Sequence, residues 1–310
     1  MSGRRYLVTG GAGFIGSHLV EALVDAGHVV RVLDDFSTGK RDNISPACRH
    51  GTVEVIEGDV RNAETVTRAT SGCVGVFHMA ALVSVQQSLA DPRSSFQINV
   101  HGSVNVLEAA RLAGVQRVVL ASSAAVYGDA PIPAREDDTP TQPLTPYGLD
   151  KLTAERYAGL YSRLYGLEAV ALRYFNVYGP RQDPASPYSG VISIFADRLR
   201  RGAGVTVYGD GEQTRDFVHV SDVVRANMAA MTTQLPGFTV CNVGSGHETS
   251  INRLVELLRG ETASGRPVDR QPARSGDIHR SCADITRART LLGYAPCCDF
   301  VIGIREMIAT

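Results

Sequence analysis

A glycine-rich turn near the start of the chain constrains the fold more than any other feature of the sequence. The run GGAGFIG occupies residues 10–16, between a predicted buried strand at residues 6–9 and a helix predicted by apolar spacing at residues 17–26. A second predicted strand, at residues 29–33, ends in Asp34. A strand, a glycine turn, a helix, a strand and an acid in this order are typical of a dinucleotide-binding unit.

The residue types of this unit predict which nucleotide it binds. Glycines let the backbone approach a pyrophosphate, and the N-terminus of the following helix supplies amide donors and positive potential. Asp34 can accept hydrogen bonds from the adenosine ribose hydroxyls, and its charge would repel a 2′-phosphate. The sequence therefore favours NAD over NADP as the cofactor.

Predicted strands and helices continue to alternate through the first half of the chain. This pattern indicates an α/β fold with a Rossmann-type doubly wound parallel sheet. The further strands are predicted at residues 53–60, 74–81, 117–121 and 167–174, and the longest helices at residues 92–113 and 147–165.

The alternation ends where glycine, proline and serine cluster, over residues 179–190, so the chain is expected to leave the sheet there. The remainder predicts a smaller C-terminal α/β lobe that binds the substrate, with a closing strand and helix from Leu291. The NAD-binding Rossmann domain is predicted to comprise residues 1–176 and roughly 217–245, and the second lobe residues 177–216 and 246–310.

Composition excludes several classes of protein. The 310 residues carry a formal net charge of −1, with no basic patch, so no nucleic-acid partner is expected. No apolar segment is long enough to span a bilayer and no signal peptide is evident, so no membrane partner is expected. The six cysteines lack metal-ligand spacing, which predicts no metal site and reduced thiols in a cytoplasmic protein.

Tyr147 and Lys151 are four residues apart in a predicted helix, so they lie on one face of it. A phenol beside an ammonium group is expected to have a lowered pKa and could exchange a proton at working pH. Ser123 follows the strand predicted at residues 117–121 and therefore lies at the carboxyl end of that strand, where ligands bind in open parallel sheets. Taken alone, the Tyr and Lys would be interpreted as an ordinary surface pair.

Other polar residues allow two interpretations each. Asp59 either faces the adenine or caps a helix. His78 is a core histidine more readily than a ligand, and Asn99, in the middle of a helix, is structural unless a family match gives it a role. Arg215 and Arg280, with Arg274, could neutralise a diphosphate or lie in solvent.

The sequence resembles the extended short-chain dehydrogenase/reductase family and, within it, the sugar-nucleotide 4-epimerases. The resemblance covers nearly the whole chain. It rests on TGGAGFIGSH at residues 9–18, SSAAVYG at residues 122–128, Tyr147 with Lys151, LRYFN at residues 172–176, and residues 209–217.

The resemblance implies roles for individual residues. Catalysis is expected from Ser123, Tyr147 and Lys151. The residues expected to bind NAD are Gly10, Gly13, Phe14, Ile15, Gly16, Asp34, Asp35, Ser37, Thr38, Gly39, Asp59, Val60, Ala80, Ala81, Asn99, Ser122, Tyr147, Lys151 and Tyr174. The residues expected to bind the nucleotide sugar are Val83, Ser123, Ala124, Tyr147, Asn176, Val191, Thr206, Val207, Tyr208, Arg215, Arg274, Asp277 and Ser281.

The resemblance also implies a reaction, which is C4 epimerisation of a UDP-hexose by hydride transfer through a bound 4-keto intermediate. Relatives that dehydrate or decarboxylate the sugar have extra acids where this chain has Ala124 and Ala125, so those reactions are disfavoured. A small residue at Ser281, the position that gates the sugar pocket in these epimerases, favours UDP-N-acetylglucosamine/UDP-N-acetylgalactosamine, with UDP-glucose/UDP-galactose also accepted.

Alternatives remain open at this point. They are a UDP-uronic acid 4-epimerase, a dehydratase or decarboxylase of the same fold, and a non-catalytic nucleotide-binding protein. The helix predicted at residues 147–165 is apolar on more than one face, which predicts a homodimer.

Overall fold

The computed structural model describes residues 3–184, 190–262, 265–273 and 278–309, and it confirms the predicted α/β class. Strands and helices alternate from the first strand to the sixth. The strands are Arg5–Thr9 (β1), Val29–Asp34 (β2), Val53–Glu57 (β3), Gly75–His78 (β4), Arg117–Ser123 (β5), Glu168–Tyr174 (β6), Asn176–Tyr178 (β7), Val205–Tyr208 (β8), Thr214–Arg215 (β9), Phe217–His219 (β10), Phe238–Val243 (β11), Thr249–Ser250 (β12) and Val268–Gln271 (β13).

Seven of these strands form one parallel sheet in the order β11-β6-β5-β4-β1-β2-β3. The strand order reverses between β1 and β4, which are hydrogen-bonded neighbours although two strands separate them in sequence. Ligands bind at the carboxyl ends of the strands beside such a switch point. The glycine turn after β1 and residues 79–83 after β4 lie there.

Helices cover both faces of the sheet. They are Phe14–Asp25 (α1), Arg41–Cys48 (α2), Ala63–Thr70 (α3), Val85–Ala90 (α4), Pro92–Phe96 (α5), Gly102–Leu112 (α6), Pro146–Tyr165 (α7), Val191–Arg200 (α8), Val220–Thr232 (α9), Ile251–Thr262 (α10), Thr286–Leu292 (α11) and Phe300–Ala309 (α12). The helix predicted at residues 92–113 is α5 and α6 joined by a π-helical turn, Gln97–His101. Within the described ranges, no helix is long and apolar enough to cross a membrane.

The sequence around α7 fixes where this helix begins and ends. Thr145 is its N-cap, and its hydroxyl oxygen accepts a hydrogen bond from the Gly148 amide at 3.2 Å. Pro146 occupies the first helical position, where a missing N–H costs little. Gly166 ends the helix in the left-handed conformation, with φ of 70°. Tyr147 and Lys151 therefore lie in the first two turns of a well-defined helix.

Buried side chains form clusters on both faces of the large sheet and a separate cluster in the second lobe. The lobe's cluster includes Tyr178, Ile192, Leu254 and Ile304. The main cluster also contains Ala283, Ile285 and Leu292, from the segment assigned to the second lobe, and the domain boundaries stay a prediction.

The strand predicted after Leu291 is wrong. The described residues 293–299 form a loop between α11 and α12. The Asp222 carboxylate accepts the backbone amides of Cys297 at 3.0 Å and Cys298 at 3.3 Å. Because a side chain binds these amides, they are not available to pair with a strand.

Candidate active site

A cavity of about 1580 Å³ opens at the carboxyl ends of the parallel strands. Its lining comes from the glycine turn, the ends of β2, β4 and β5, the start of α7 and several segments of the second lobe. Every residue predicted to bind NAD lines this cavity except Asn99. The structure thus brings the cofactor and catalytic candidates into one site, while the individual roles stay predictions.

The glycine turn fits tightly against the sheet and leaves an open helix end. Gly10 has φ of 66°, and a β-carbon there would lie 2.7 Å from the Ala80 nitrogen. A β-carbon at Gly16 would lie 2.1 Å from the Gly10 carbonyl oxygen. Gly13 caps α1 without a side chain, and Phe14 and Ile15 in its first turn line the cavity. This end of α1 therefore suits the pyrophosphate of a dinucleotide.

Two acids line the cavity in different ways. Asp34 accepts hydrogen bonds from the Ala12 amide at 2.8 Å and the Phe36 amide at 2.9 Å, so it also connects the glycine turn to β2. Burial raises the pKa of its carboxyl group. Asp59 pairs with Arg61, whose hydrogen bond lowers the pKa of that carboxyl group. The N-cap of α3 is Asn62 rather than Asp59, so the capping interpretation of Asp59 is wrong.

Two buried polar residues support the cavity from behind. The His78 ring bonds the Thr9 hydroxyl at 2.7 Å and the Ser103 hydroxyl at 2.9 Å, and burial lowers its pKa to about 3. His78 is thus a neutral core histidine, as predicted. Asn99 accepts the Leu82 amide at 2.9 Å and donates to the Leu82 carbonyl at 3.0 Å. Its side chain holds the loop after β4 instead of facing the cavity.

Ser123, Tyr147 and Lys151 all line the cavity. Ser123 ends β5, and the other two lie on one face of α7, as their spacing predicts. The Lys151 ammonium nitrogen is 5.9 Å from the centre of the Tyr147 ring and donates to the Ala121 carbonyl at 2.8 Å. A hydroxyl, a phenol and an ammonium group thus face one space beside the glycine turn.

Burial dominates the electrostatics of this cluster. It raises the pKa of the Tyr147 phenol, and the Ser123 hydroxyl lowers that pKa only in part. Burial also lowers the pKa of Lys151 to about 8, against the charges of Asp150 and Glu155, which raise it. The lowered pKa predicted for Tyr147 is therefore wrong, because desolvation outweighs the Ser123 hydrogen bond, which is the opposing effect.

A buried ion pair beneath the cluster was not predicted from the sequence. Arg173 on β6 donates to both carboxylate oxygens of Glu155 on α7, at 2.9 and 2.8 Å, and both side chains are at most 5% exposed. The Ser122 hydroxyl also donates to Glu155, and the Arg173 guanidinium lies 4.8 Å from the centre of the Tyr127 ring. Glu155 stands four residues after Lys151, a helical spacing that could have placed it beside the site.

A second buried carboxylate holds the side of the cavity formed by residues 278–283. Asp216 accepts amides from Ser245, Gly246 and Ala283 and the Ser245 hydroxyl. The Ala134 amide donates to the Cys282 carbonyl at 2.8 Å, which ties this segment to the loop after β5. Ser281 is therefore fixed in the cavity wall, next to two anchored residues.

The predicted substrate residues separate into three groups. Val83, Ser123, Ala124, Tyr147, Asn176, Arg215 and Ser281 line the cavity. Val191 on α8 and Thr206, Val207 and Tyr208 on β8 lie in the second lobe outside this lining, and Val207 is buried. Arg274 and Asp277 fall outside the described residues.

Of the remaining cationic candidates, Arg280 lines the cavity and pairs with Glu248 at 2.6 Å. Arg215 donates to the Thr214 carbonyl at 2.7 Å. Across the described ranges, no group of three or more His, Cys, Asp or Glu side chains could hold a metal ion.

The fold and the site define a Rossmann-type, dinucleotide-dependent enzyme. A model of the NAD dependent epimerase/dehydratase family matches residues 6–244. The chain belongs to this family, and NAD is its cofactor, as the glycine turn and Asp34 predict.

Known proteins resemble this chain over nearly its whole length. UDP-glucose 4-epimerase from Mycolicibacterium smegmatis is 40% identical over 306 residues, which cover 98% of this chain and 97% of the relative. The structure of UDP-N-acetylglucosamine 4-epimerase from Methanobrevibacter ruminantium in complex with UDP-N-acetylmuramic acid superposes with a TM-score of 0.94, at 36% identity, over 100% of this chain and 98% of the other. The UDP-glucose 4-epimerase of Thermus thermophilus in complex with NAD gives a TM-score of 0.89, at 38% identity and 98% coverage of each chain.

Proposed function

We propose that the protein is an NAD-dependent 4-epimerase of a UDP-hexose. The observation that carries the proposal is the cluster of Ser123, Tyr147 and Lys151 facing one cavity beside the glycine turn. Relatives and structural neighbours named as 4-epimerases of UDP-glucose and UDP-N-acetylglucosamine support it. A protein that only bound the nucleotide would not need a hydroxyl, a phenol and an ammonium group at this place.

Each member of the cluster has a distinct task in the proposed reaction. Bound NAD supplies the hydride acceptor and then the donor for the sugar C4. Tyr147 removes the proton from the sugar 4-hydroxyl and returns it at the end of the cycle. Ser123 donates a hydrogen bond to the same oxygen and stabilises the charge that develops there. Lys151 supplies the positive charge that favours the Tyr147 phenolate and binds the nicotinamide ribose.

The residues next to Ser123 favour epimerisation over dehydration or decarboxylation. Ala124 and Ala125 line the cavity with methyl groups. Dehydration and decarboxylation each require a further acid or base near the sugar. Since an alanine side chain can neither give nor take a proton, these reactions lack a group at this position.

The cavity wall at Ser281 suggests that N-acetylated sugars are accepted. We propose UDP-N-acetylglucosamine/UDP-N-acetylgalactosamine as the preferred pair and UDP-glucose/UDP-galactose as a second pair. Ser281 is a small residue that faces the cavity on a segment fixed by the Ala134–Cys282 and Asp216–Ala283 hydrogen bonds. The support is steric, because a small side chain leaves room for an acetamido group.

Replacing Ser281 by tyrosine is expected to remove activity on the N-acetylated sugar while keeping activity on the plain hexose. A phenol in the cavity wall would occupy the space of the acetamido group, and the fixed backbone offers no relief. The measurement is the ratio of kcat/KM for UDP-N-acetylglucosamine to that for UDP-glucose, with Ser281→Ala as the small control. Equal losses on both sugars would mean that Ser281 is not a gate.

Proton NMR of the anomeric region tests the proposed function directly. The purified protein is incubated with UDP-N-acetylglucosamine and with UDP-glucose in separate tubes. A galacto-configured signal that grows to a fixed ratio without added NAD would establish a 4-epimerase that retains its cofactor. No change in either tube with NAD supplied would reject these substrates, and UDP-glucuronic acid and its N-acetylated analogue would be tested next.

We further propose that the protein is a homodimer. The support is a set of exposed apolar side chains on α7 and on the neighbouring helices α4 and α5, including Leu149, Leu164, Leu89 and Phe96, each more than half exposed. Large exposed apolar patches mark interaction surfaces. Light scattering of the purified protein distinguishes one chain from two.

A cytoplasmic location is likewise a proposal, supported by six cysteines that are all free thiols in the structure.

A further inference from the structure

A buried carboxylate lies inside the catalytic helix without an assigned role. Asp150 immediately precedes Lys151 in α7 and is 5% exposed. Its Oδ2 atom accepts the Ser95 hydroxyl at 2.5 Å, and the Asn99 amide donates to the same hydroxyl at 3.4 Å. Burial raises the pKa of the Asp150 carboxyl group, while its hydrogen bonds and the charge of Lys151 lower it. Ser95 and Asn99 are neutral, and none of the ion pairs in the described part of the chain includes Asp150. A buried carboxylate without a paired cation is unusual and calls for a functional reason.

The partners of Asp150 connect the catalytic helix to the cofactor side of the cavity. Ser95 belongs to α5, and Asn99 lies in the π-helical turn between α5 and α6. Asn99 also binds both backbone groups of Leu82, which lines the cavity after β4. π-helical turns often occur where a side chain must be placed for function. Here the turn contains Asn99, which bonds both the loop and Ser95, the partner of Asp150.

The charges around Lys151 show what Asp150 contributes. Glu155 lies on the same helix but is already paired with Arg173. His78, on β4, is neutral, and Tyr147 presents its phenol ring to the ammonium group. Among the groups that face Lys151, Asp150 is therefore the carboxylate whose charge no other cation balances.

We propose that Asp150 is a positioning residue, whose carboxylate is fixed by Ser95 and whose charge keeps Lys151 protonated beside Tyr147. The proposal deepens the proposed function, because the charge of Lys151 matters through Tyr147. Burial lowers the pKa of Lys151 to about 8, so this charge is easily lost in mildly alkaline solution. A nearby negative charge favours the ammonium form, and the charge of Asp150 raises the pKa of Lys151 against the effect of burial.

The low number of lysines in the sequence allows the protonation of Lys151 to be measured directly. Lys40 and Lys151 are the only lysines in the chain, and both line the cavity. Lysine labelled with ¹³C at Cε therefore gives two NMR signals, whose shifts report protonation. Lys40, which pairs with Asp183 at 2.7 Å, serves as the internal reference. The titration is done on the protein as purified, without sugar, so a wrong substrate assignment leaves the test intact.

In Asp150→Asn, the midpoint of the Lys151 titration is expected to fall by about one pH unit, while that of Lys40 stays in place. The alkaline limb of kcat should fall by the same amount, with little change in KM for the sugar. Asp129→Asn, which removes a charge from an exposed aspartate near the cavity, should leave both titrations unchanged. Ser95→Ala keeps the carboxylate and should move Lys151 by no more than a few tenths of a unit.

Three results would overturn the proposal. The first is an unchanged Lys151 titration in a folded Asp150→Asn protein. The second is an equal shift in Asp150→Asn and Ser95→Ala, which would indicate loosened packing instead of lost charge. If Asp150→Asn does not fold, the wild-type protein provides the test. Protonation of its Asp150 must then appear as a second inflection, at acid pH, in the NMR titration curve of Lys151. The third is the absence of that inflection.

Discussion

Replacing Tyr147 by phenylalanine is expected to reduce epimerase turnover by about 10²–10⁴-fold, the usual contribution of a positioned proton-transfer group. The change removes only the phenol oxygen and leaves the ring against Lys151. NAD should remain bound, because the glycine turn and Asp34 are untouched. Turnover is followed by anomeric proton NMR, and bound nucleotide is measured by its absorbance after release from the denatured protein.

Tyr157→Phe is the matched control for this experiment. Tyr157 lies on the same helix but is exposed at its surface, so loss of its hydroxyl should leave turnover unchanged. Near-normal turnover in Tyr147→Phe would remove Tyr147 from the mechanism. Loss of bound nucleotide together with turnover would mean that the tyrosine acts mainly in binding the cofactor.

Replacing Glu155 by glutamine is expected to lower the free energy of unfolding by about 3–5 kcal/mol, the usual result of breaking a buried ion pair. The variant leaves the Arg173 guanidinium, itself 4% exposed, without its carboxylate. It also removes the charged acceptor of the Ser122 hydroxyl, next to Ser123. Turnover should therefore fall as well. Urea denaturation followed by circular dichroism measures the stability.

Glu108→Gln provides the comparison, because Glu108 also pairs with an arginine, Arg111, at 2.6 Å. Both side chains of that pair are about one-third exposed or more, and such pairs contribute at most about 1 kcal/mol. Equal losses of stability in the two variants would show that the Glu155–Arg173 pair contributes no more than a surface pair. In that case its role would be limited to orienting Ser122.

Local sequence patterns predicted those parts of the molecule in which the residue type at one position determines the local backbone structure. The glycine turn excludes side chains at Gly10 and Gly16, which would collide with backbone, and it predicted both the fold and the cofactor. The four-residue spacing of Tyr147 and Lys151 predicted a shared helix face, because helix geometry fixes it. The alternation of strands and helices predicted the parallel sheet, because parallel neighbouring strands need a crossover connection such as a helix.

Properties that depend on distant partners were not predicted. The raised pKa of Tyr147 comes from burial by elements far apart in sequence, which spacing alone does not show. One failure was local: the interpretation of Asp59 as a helix cap is wrong because Asn62, three residues later, provides the cap. The predicted strand after Leu291 failed because Asp222, some 75 residues earlier, binds the loop amides. Asn99 bonds Leu82, which only the folded chain brings close.

Because the chain has only two lysines, few side-chain amines are available for chemical modification. Of the two lysines, Lys151 is 7% exposed and donates to a backbone carbonyl, whereas more than half of the Lys40 side chain is open to solvent. An amine-selective acylating reagent therefore meets one exposed lysine, apart from the α-amino group. Because that side chain stands at the rim of the cavity, its acylation rate would report directly whether the cavity is filled.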